Sequence, residues 1–188
     1  IWFRNDLRSH DNTALSAALQ AGPTIAVFIL SPRQWLDHND AACKVDFLLR
    51  NLLELQKSLA RLNVPLLIRH AEFWQHAPDV IAQLCHEHKI TAVHVNTEYG
   101  VNETRRDAAV GSVVVDQGIL FHSHLDQLLF KPGSILTQSG TYFKVFSQFK
   151  KICYQRLYEH LPVPAHLPQA QAPCAIASEP IPSSLKPF

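Results

Sequence analysis

The chain has 188 residues, 47% hydrophobic and 18% charged, with a formal net charge of +1 before its eleven histidines are counted. That length suits one sizeable globular domain plus an appendage. The near-neutral balance does not advertise a nucleic-acid surface, no apolar run reaches membrane-spanning length, and no signal peptide opens the chain. Four cysteines, at positions 43, 85, 153 and 174, show no CxxC and no metal spacing. Reduced thiols in a cytoplasmic protein are therefore expected.

Ile1, Trp2 and Phe3 read as a strand end that runs through the polar turn Arg4–Asp11 into a helix. Asp11 or Asn12 can cap that helix over Thr13–Ala21, with Gly22 as its stop. Thr24–Leu30 is a continuous apolar run, the mark of a strand covered on both faces. Ser31–Asp40 reads as a loop with one helical turn at Pro32–Leu36, followed by a long helix over Ala42–Leu62. Val45, Leu48, Leu49, Leu52, Leu55, Leu59 and Leu62 form its buried stripe. Pro65–His70 is the third strand, Pro78–His88 a helix opened by proline, and Thr91–Asn96 the fourth strand. A helix over Val101–Val115 and a strand over Ile119–His122 close the alternation. Strands and helices alternating at short intervals predict an α/β fold. The expected form is a Rossmann-like, doubly wound, five-stranded parallel sheet with helices on both faces.

After Ser123 the rhythm fails. Lys131–Gly140 is a loop, and Tyr142–Glu159 reads as a last helix with Val145, Phe146, Phe149, Ile152, Cys153 and Leu157 turned inward. Seven of the twelve prolines lie in Pro162–Pro187. The division expected is a domain over 1–160 and a Pro-rich interdomain linker over 161–188. The lack of methionine, the mid-strand start and the dangling tail predict a piece of a longer protein.

There is no GxGxxG after a strand, no P-loop and no GxSxG elbow. His86 and His88 diverge on a helix. His122 and His124 can share a strand face, but no third ligand stands at a supporting spacing, so no metal site is expected. Two places remain at the carboxyl edge of the sheet, where ligands of such folds sit. One is Arg33–Asn39, with Trp35 and His38; the other is Thr97–Glu103. The ordinary reading of Glu103 is a carboxylate favoured by the dipole of its helix. The functional reading is that Glu103 and Asn102 grip a flat heterocycle, Glu103 accepting two parallel hydrogen bonds, with His38 adding a ring face or a further bond.

The residues Trp2-Phe3-Arg4-Asn5-Asp6-Leu7-Arg8 with Asp11-Asn12 resemble the opening block of the DNA photolyase/cryptochrome family. Asn96 and Tyr99 followed by Arg106-Asp107 resemble its second block, and Phe143-Lys144-Val145-Phe146-Ser147-Gln148-Phe149 its third. Arg33-Gln34-Trp35, His38-Asn39 and Val101-Asn102-Glu103 make the likeness greatest to bacterial, folate-class cyclobutane pyrimidine dimer photolyases. Gly100, Phe143 and Gln148 depart from the pattern, where an acidic residue, Tyr and Pro are usual.

The resemblance implies the N-terminal, light-harvesting domain of a deoxyribodipyrimidine photolyase. It implies a 5,10-methenyltetrahydrofolate antenna held by His38, Asn102 and Glu103, with Glu103 anchoring the pterin. It also implies a separate C-terminal helical domain that holds FAD and docks UV-damaged DNA. The repair reaction is light-driven electron transfer from reduced FAD, so no catalytic residue is expected in this chain, and a monomer is the default. The alternatives are the antenna domain of a cryptochrome photoreceptor and a stand-alone nucleotide-binding α/β module.

Overall fold

The computed structural model describes residues 1–188. The short strand β1 (Trp2–Phe3) lies parallel to β2 (Ala26–Leu30), which pairs in parallel with β3 (Leu66–His70). A second parallel ladder joins β4 (Ala92–Asn96) to β5 (Leu120–His124). Five parallel strands are therefore present, but as groups of three and two rather than one continuous ladder. The seam between β1 and β4 is bridged by side chains. Arg4 donates a hydrogen bond to the Asn96 carbonyl, and the Asn96 amide donates to Asp6 Oδ2 at 2.7 Å. β1 spans only two residues, and no backbone ladder joins it to β4.

Residue alternation along each strand divides the core into two clusters, one per face. On one face Phe3, Phe28, Leu30, Leu66 and Ile68 meet Leu15 of α1 (Thr13–Ala21) and the stripe Val45, Leu49, Leu52, Leu55, Leu59 on α3 (Ala42–Ala60). On the other, Trp2, Val27, Ile29, Leu67, Val93 and Val95 meet Ile81 and Leu84 of α4 (Ala77–His88) and Val110 and Val114 of α5 (Val101–Asp116). Helices on both faces make the sheet doubly wound, as the alternating pattern predicts. Asn12 caps α1 by accepting from Leu15 N at 2.9 Å. The expected turn after β2 is a six-residue helix, α2 (Pro32–Asp37), and β5 runs two residues beyond its expected end.

The last helix, α6 (Phe146–Glu159), starts four residues later than its apolar pattern suggests, and none of its residues is buried. Val145 and Phe146, expected inside, are 52% and 74% exposed. Helical periodicity identifies an apolar face but says nothing about what covers it. The Pro-rich segment 161–188 has no regular structure of its own, yet it lies along the outer edge of β3. Glu179 N donates to Leu66 O at 2.9 Å, Ser178 Oγ accepts from Leu66 N at 3.0 Å, and Glu179 Oε2 accepts from Ile68 N at 2.7 Å. Ile181, Leu185 and Phe188 pack on the first cluster. A sheet edge that would otherwise offer unpaired backbone groups is thereby covered.

Candidate functional site at the carboxyl edge of the sheet

The polar turn after β1 is mostly scaffold. Asp6 Oδ1 accepts from Arg4 N at 2.9 Å, closing the turn. The Asn96 side chain accepts from Ala14 N at 3.0 Å and donates to Asn12 Oδ1 at 2.9 Å, tying β4 to the start of α1. Arg4 is turned inward and joins a buried charge cluster with Glu98, Arg106 and Asp107. Arg106 Nη2 donates to Glu98 Oε2 at 2.6 Å and to Asp107 Oδ1 at 2.7 Å, while Arg4 Nε lies 3.6 Å from Glu98 Oε2. Asn5 Nδ2 adds a bond to Glu98 Oε1 at 2.6 Å. Burial works against the Glu98 charge, but Arg4, Arg106 and Asn5 outweigh it and hold the carboxyl below the usual range. Two guanidinium groups face two carboxylates, so the cluster is neutral, although Arg4 Nε is left without a hydrogen-bond partner.

Aromatic rings continue this cluster outward. The Arg106 guanidinium carbon lies 5.0 Å from the Trp2 ring and 4.9 Å from the Trp74 ring, so the cation is held between two indoles. Trp74, in the single 3₁₀ turn Trp74–His76, meets the His38 ring edge-on at 5.2 Å. Gln34 of α2 bonds to both ends of this contact: its Oε1 accepts from Trp74 N at 3.1 Å, and its Nε2 lies 3.0 Å from His38 Nε2. A column Trp2–Arg106–Trp74–His38 thus crosses the top of the sheet from core to solvent.

The structure places all three expected ligand-binding residues at this edge. His38 is the exposed end of the column, and Asn102 and Glu103 lie on the first turn of α5, one turn before Arg106. No hydrogen bond joins His38 to Asn102 or Glu103; Trp74 and Arg106 stand between the two places. Asn102 is exposed and Glu103 half-buried, and neither side chain is used in an internal hydrogen bond or ion pair, unlike Glu98 and Arg106. The Glu103 carboxylate folds back over the start of its own helix. A Cβ at Gly100 would fall 2.0 Å from Glu103 Oε2, so the glycine leaves the room that this conformer needs. Trp35 is buried and forms a wall of the inner crevice rather than an exposed surface.

Sequence reasoning missed Trp74 and Glu98. Trp74 reads as packing because nothing in its neighbourhood shows that it meets Arg106 and His38. Glu98 had a visible signal, an acidic residue eight positions before Arg106 across the start of a helix.

The crevice at the carboxyl ends of β1 and β2, lined by Trp2, Phe28, Trp35, Trp74 and Arg106, keeps only about 50 Å³ of free space. Sites for cofactor-sized ligands measure roughly 300–1,000 Å³. A larger cavity, about 370 Å³, lies at the opposite edge, around Thr24, Ile25, Lys89 and Ile90 at the amino ends of the strands. Ligands of doubly wound sheets sit at the carboxyl ends, so size alone does not make that cavity the site.

The family described as DNA photolyase matches residues 1–168. The chain belongs to the DNA photolyase family. It is 41% identical over 152 residues to the deoxyribodipyrimidine photo-lyase of Vibrio cholerae, covering 80% of this chain and 32% of that protein. Against a bacterial class III photolyase from Agrobacterium tumefaciens the TM-score is 0.75 at 26% identity, with 96% of this chain and 36% of that chain covered. An archaeal photolyase from Sulfolobus tokodaii, described with two FAD molecules and the implication of a novel light-harvesting cofactor, gives a TM-score of 0.70 at 26% identity, over 90% of this chain and 36% of that one. The chain spans about a third of the length of the photolyases it matches. No helix is long and apolar enough to cross a membrane.

Proposed function

We propose that this chain is the antenna-chromophore-binding domain of a deoxyribodipyrimidine photolyase, a lyase that splits UV-induced pyrimidine dimers in DNA by electron transfer from reduced FAD. The antenna we assign is 5,10-methenyltetrahydrofolate, with His38, Asn102 and Glu103 as its protein contacts. The observation that carries this reading is the pair of unpaired polar side chains, Asn102 and Glu103, on the first turn of α5 at the carboxyl edge, the same edge at which Gln34 and Trp74 hold His38. A pterin is flat and offers an N–H/NH₂ edge. A carboxylate accepts two parallel bonds from that edge, and an amide can both donate and accept beside it. When bound, the folate would supply absorption of near-ultraviolet light; the chain's residues bind it, orient it and limit its exposure to water.

FAD and the damaged DNA belong in this reading to a helical domain that follows in the whole protein. The exposed apolar residues of α6, Phe146, Phe149 and Tyr158, are the surface on which such a domain would rest. The near-neutral charge fits this division, since phosphate binding calls for a basic groove.

The test is a titration of methenyltetrahydrofolate into the whole photolyase and its Glu103→Ala variant, followed by near-ultraviolet absorption and fluorescence polarisation. Saturable binding by the parent and none by the variant is expected. Equal binding by both would remove Glu103 from the site. No binding by the parent would remove the folate assignment.

A further inference from the structure

Gln34, in the stretch Arg33-Gln34-Trp35, has no part in the proposed ligand contacts, yet His38 depends on it. It is half-buried on α2, four residues before His38, so the two side chains share one face of the helix. Its backbone N–H donates to Glu72 O at 2.9 Å, and its side-chain Oε1 accepts from Trp74 N at 3.1 Å. These two bonds fasten α2 to the segment that follows β3, and the second fixes which way the amide faces.

The proton positions follow from these contacts. A backbone N–H only donates, so the amide atom that faces Trp74 N is the oxygen. The amide nitrogen is the atom left to face His38 Nε2, at 3.0 Å. An amide nitrogen only donates, so His38 Nε2 accepts and carries no proton. The ring is then neutral, with its single proton on Nδ1. No group of the chain accepts from Nδ1, and His38 is exposed. The Trp74 ring, edge-on at 5.2 Å, adds a wall but no hydrogen bond to the imidazole.

We infer that Gln34 is a positioning residue that locks His38 as the Nδ1–H tautomer, so that His38 meets the antenna ligand as a hydrogen-bond donor. The inference rests on the folate reading above and adds a chemical requirement to it. Glu103 accepts hydrogen bonds and therefore selects a donor edge on the ligand. His38 donates and therefore selects an acceptor, either a carbonyl oxygen or a bare ring nitrogen. A folate carries both kinds of group. A flat heterocycle that offered donors alone would face the Nδ1–H with a hydrogen of its own, and the bond would be lost.

The test labels the histidines of the whole photolyase with ¹⁵N and reads the His38 ring shifts in folate-free protein at pH 7.5, above the ordinary imidazole range. The signal is assigned by its loss in His38→Gln. A protonated Nδ1 and a bare Nε2 are expected in the parent. Gln34→Glu keeps an oxygen for Trp74 N but turns an acceptor toward the ring, so Nε2 is expected to gain a proton. Gln34→Met removes both bonds, and the ring is expected to relax toward the Nε2–H form that free histidine favours. Methenyltetrahydrofolate is expected to bind each Gln34 variant several-fold more weakly, by the fraction of rings that leave the donor form. A parent whose Nε2 carries the proton would overturn the lock. So would ring shifts that stay unchanged in both variants, or a folate affinity that holds while the proton leaves Nδ1. Absence of folate binding by the parent would count against the folate reading instead, because the ring shifts are read without ligand and decide the lock by themselves.

Discussion

Glu98 and Glu103 lie five residues apart, yet they should behave as opposites when truncated. The Glu98 side chain is 6% exposed, among arginines exposed by 5% and 6%. In Glu98→Ala, Asp107 remains the only carboxylate facing both Arg4 and Arg106. Removing one partner of a buried ion pair costs about 3–5 kcal/mol, because the stranded charge keeps its desolvation penalty. A domain of ordinary stability has roughly 5–15 kcal/mol in total. At roughly 2–4 °C per kcal/mol for a chain of this size, Tm should fall by roughly 6–20 °C. Glu98→Gln keeps the shape and one acceptor, so it should lose less. Urea titrations followed by circular dichroism would measure both. The pH dependence has a definite sign. The Glu98 pKa is held below its unfolded value near 4.5, so its stabilisation is full above that pH and disappears as pH falls through the lower folded value. The gap between parent and Glu98→Gln should therefore close in acid. A loss below about 1 kcal/mol in Glu98→Ala, the range of an exposed pair, would refute the view that this cluster fastens β1 to β4.

Glu103→Ala should cost no more than about 1 kcal/mol, as for a first-turn helix carboxylate, while abolishing folate binding; a loss several times larger in a thermal melt would make Glu103 structural. Trp74→Ala should remove one aromatic face from Arg106, at about 0.5–2 kcal/mol, and weaken folate binding because His38 loses its edge contact; unchanged folate affinity would separate His38 from Trp74. Because His94 is pushed down to about 4 from an ordinary 6.5, its contribution is full above pH 6.5 and is lost between 6.5 and 4. Unfolding free energy should fall across that window, and His94→Gln should flatten the slope. Glu179→Ala should speed amide hydrogen exchange at Ile68, whose N–H the carboxylate accepts, without altering folate binding; unchanged exchange would mean that the tail does not guard the β3 edge.

Much of the sheet was legible because strand and helix periods differ. The α3 stripe and the run Thr24–Leu30 are both buried as expected apart from the partly exposed Leu48 and Ile25. The break between β1 and β4 was not legible, because local periodicity finds strands but not which of them pair. The exposure of α6 was illegible for a different reason: its amphipathic pattern is real, but the pattern does not name a partner. At the candidate site, Asn102, Glu103 and His38 stood out as polar residues at loop ends. The placing of His38 by Gln34 and Trp74 came only with the fold, because α2 and the 3₁₀ turn are distant in sequence.

The buried cluster and the outer site explain one another. In a doubly wound sheet the carboxyl-edge crevice is the default place for a ligand. Here the chain fills that place with its own groups: Arg4, Arg106 and the indoles of Trp2, Trp35 and Trp74 leave about 50 Å³. The pterin of the proposed function would therefore rest further out, against residues that the cluster presents but does not consume. Arg106 serves both parts. Its guanidinium is locked inward by Glu98 and Asp107, and its outer face carries Trp74, which in turn carries His38. The first turn of α5 is held in place by the same arginine, one turn further along the helix. The polar opening turn therefore acts on the ligand edge indirectly, by anchoring the column that His38 terminates.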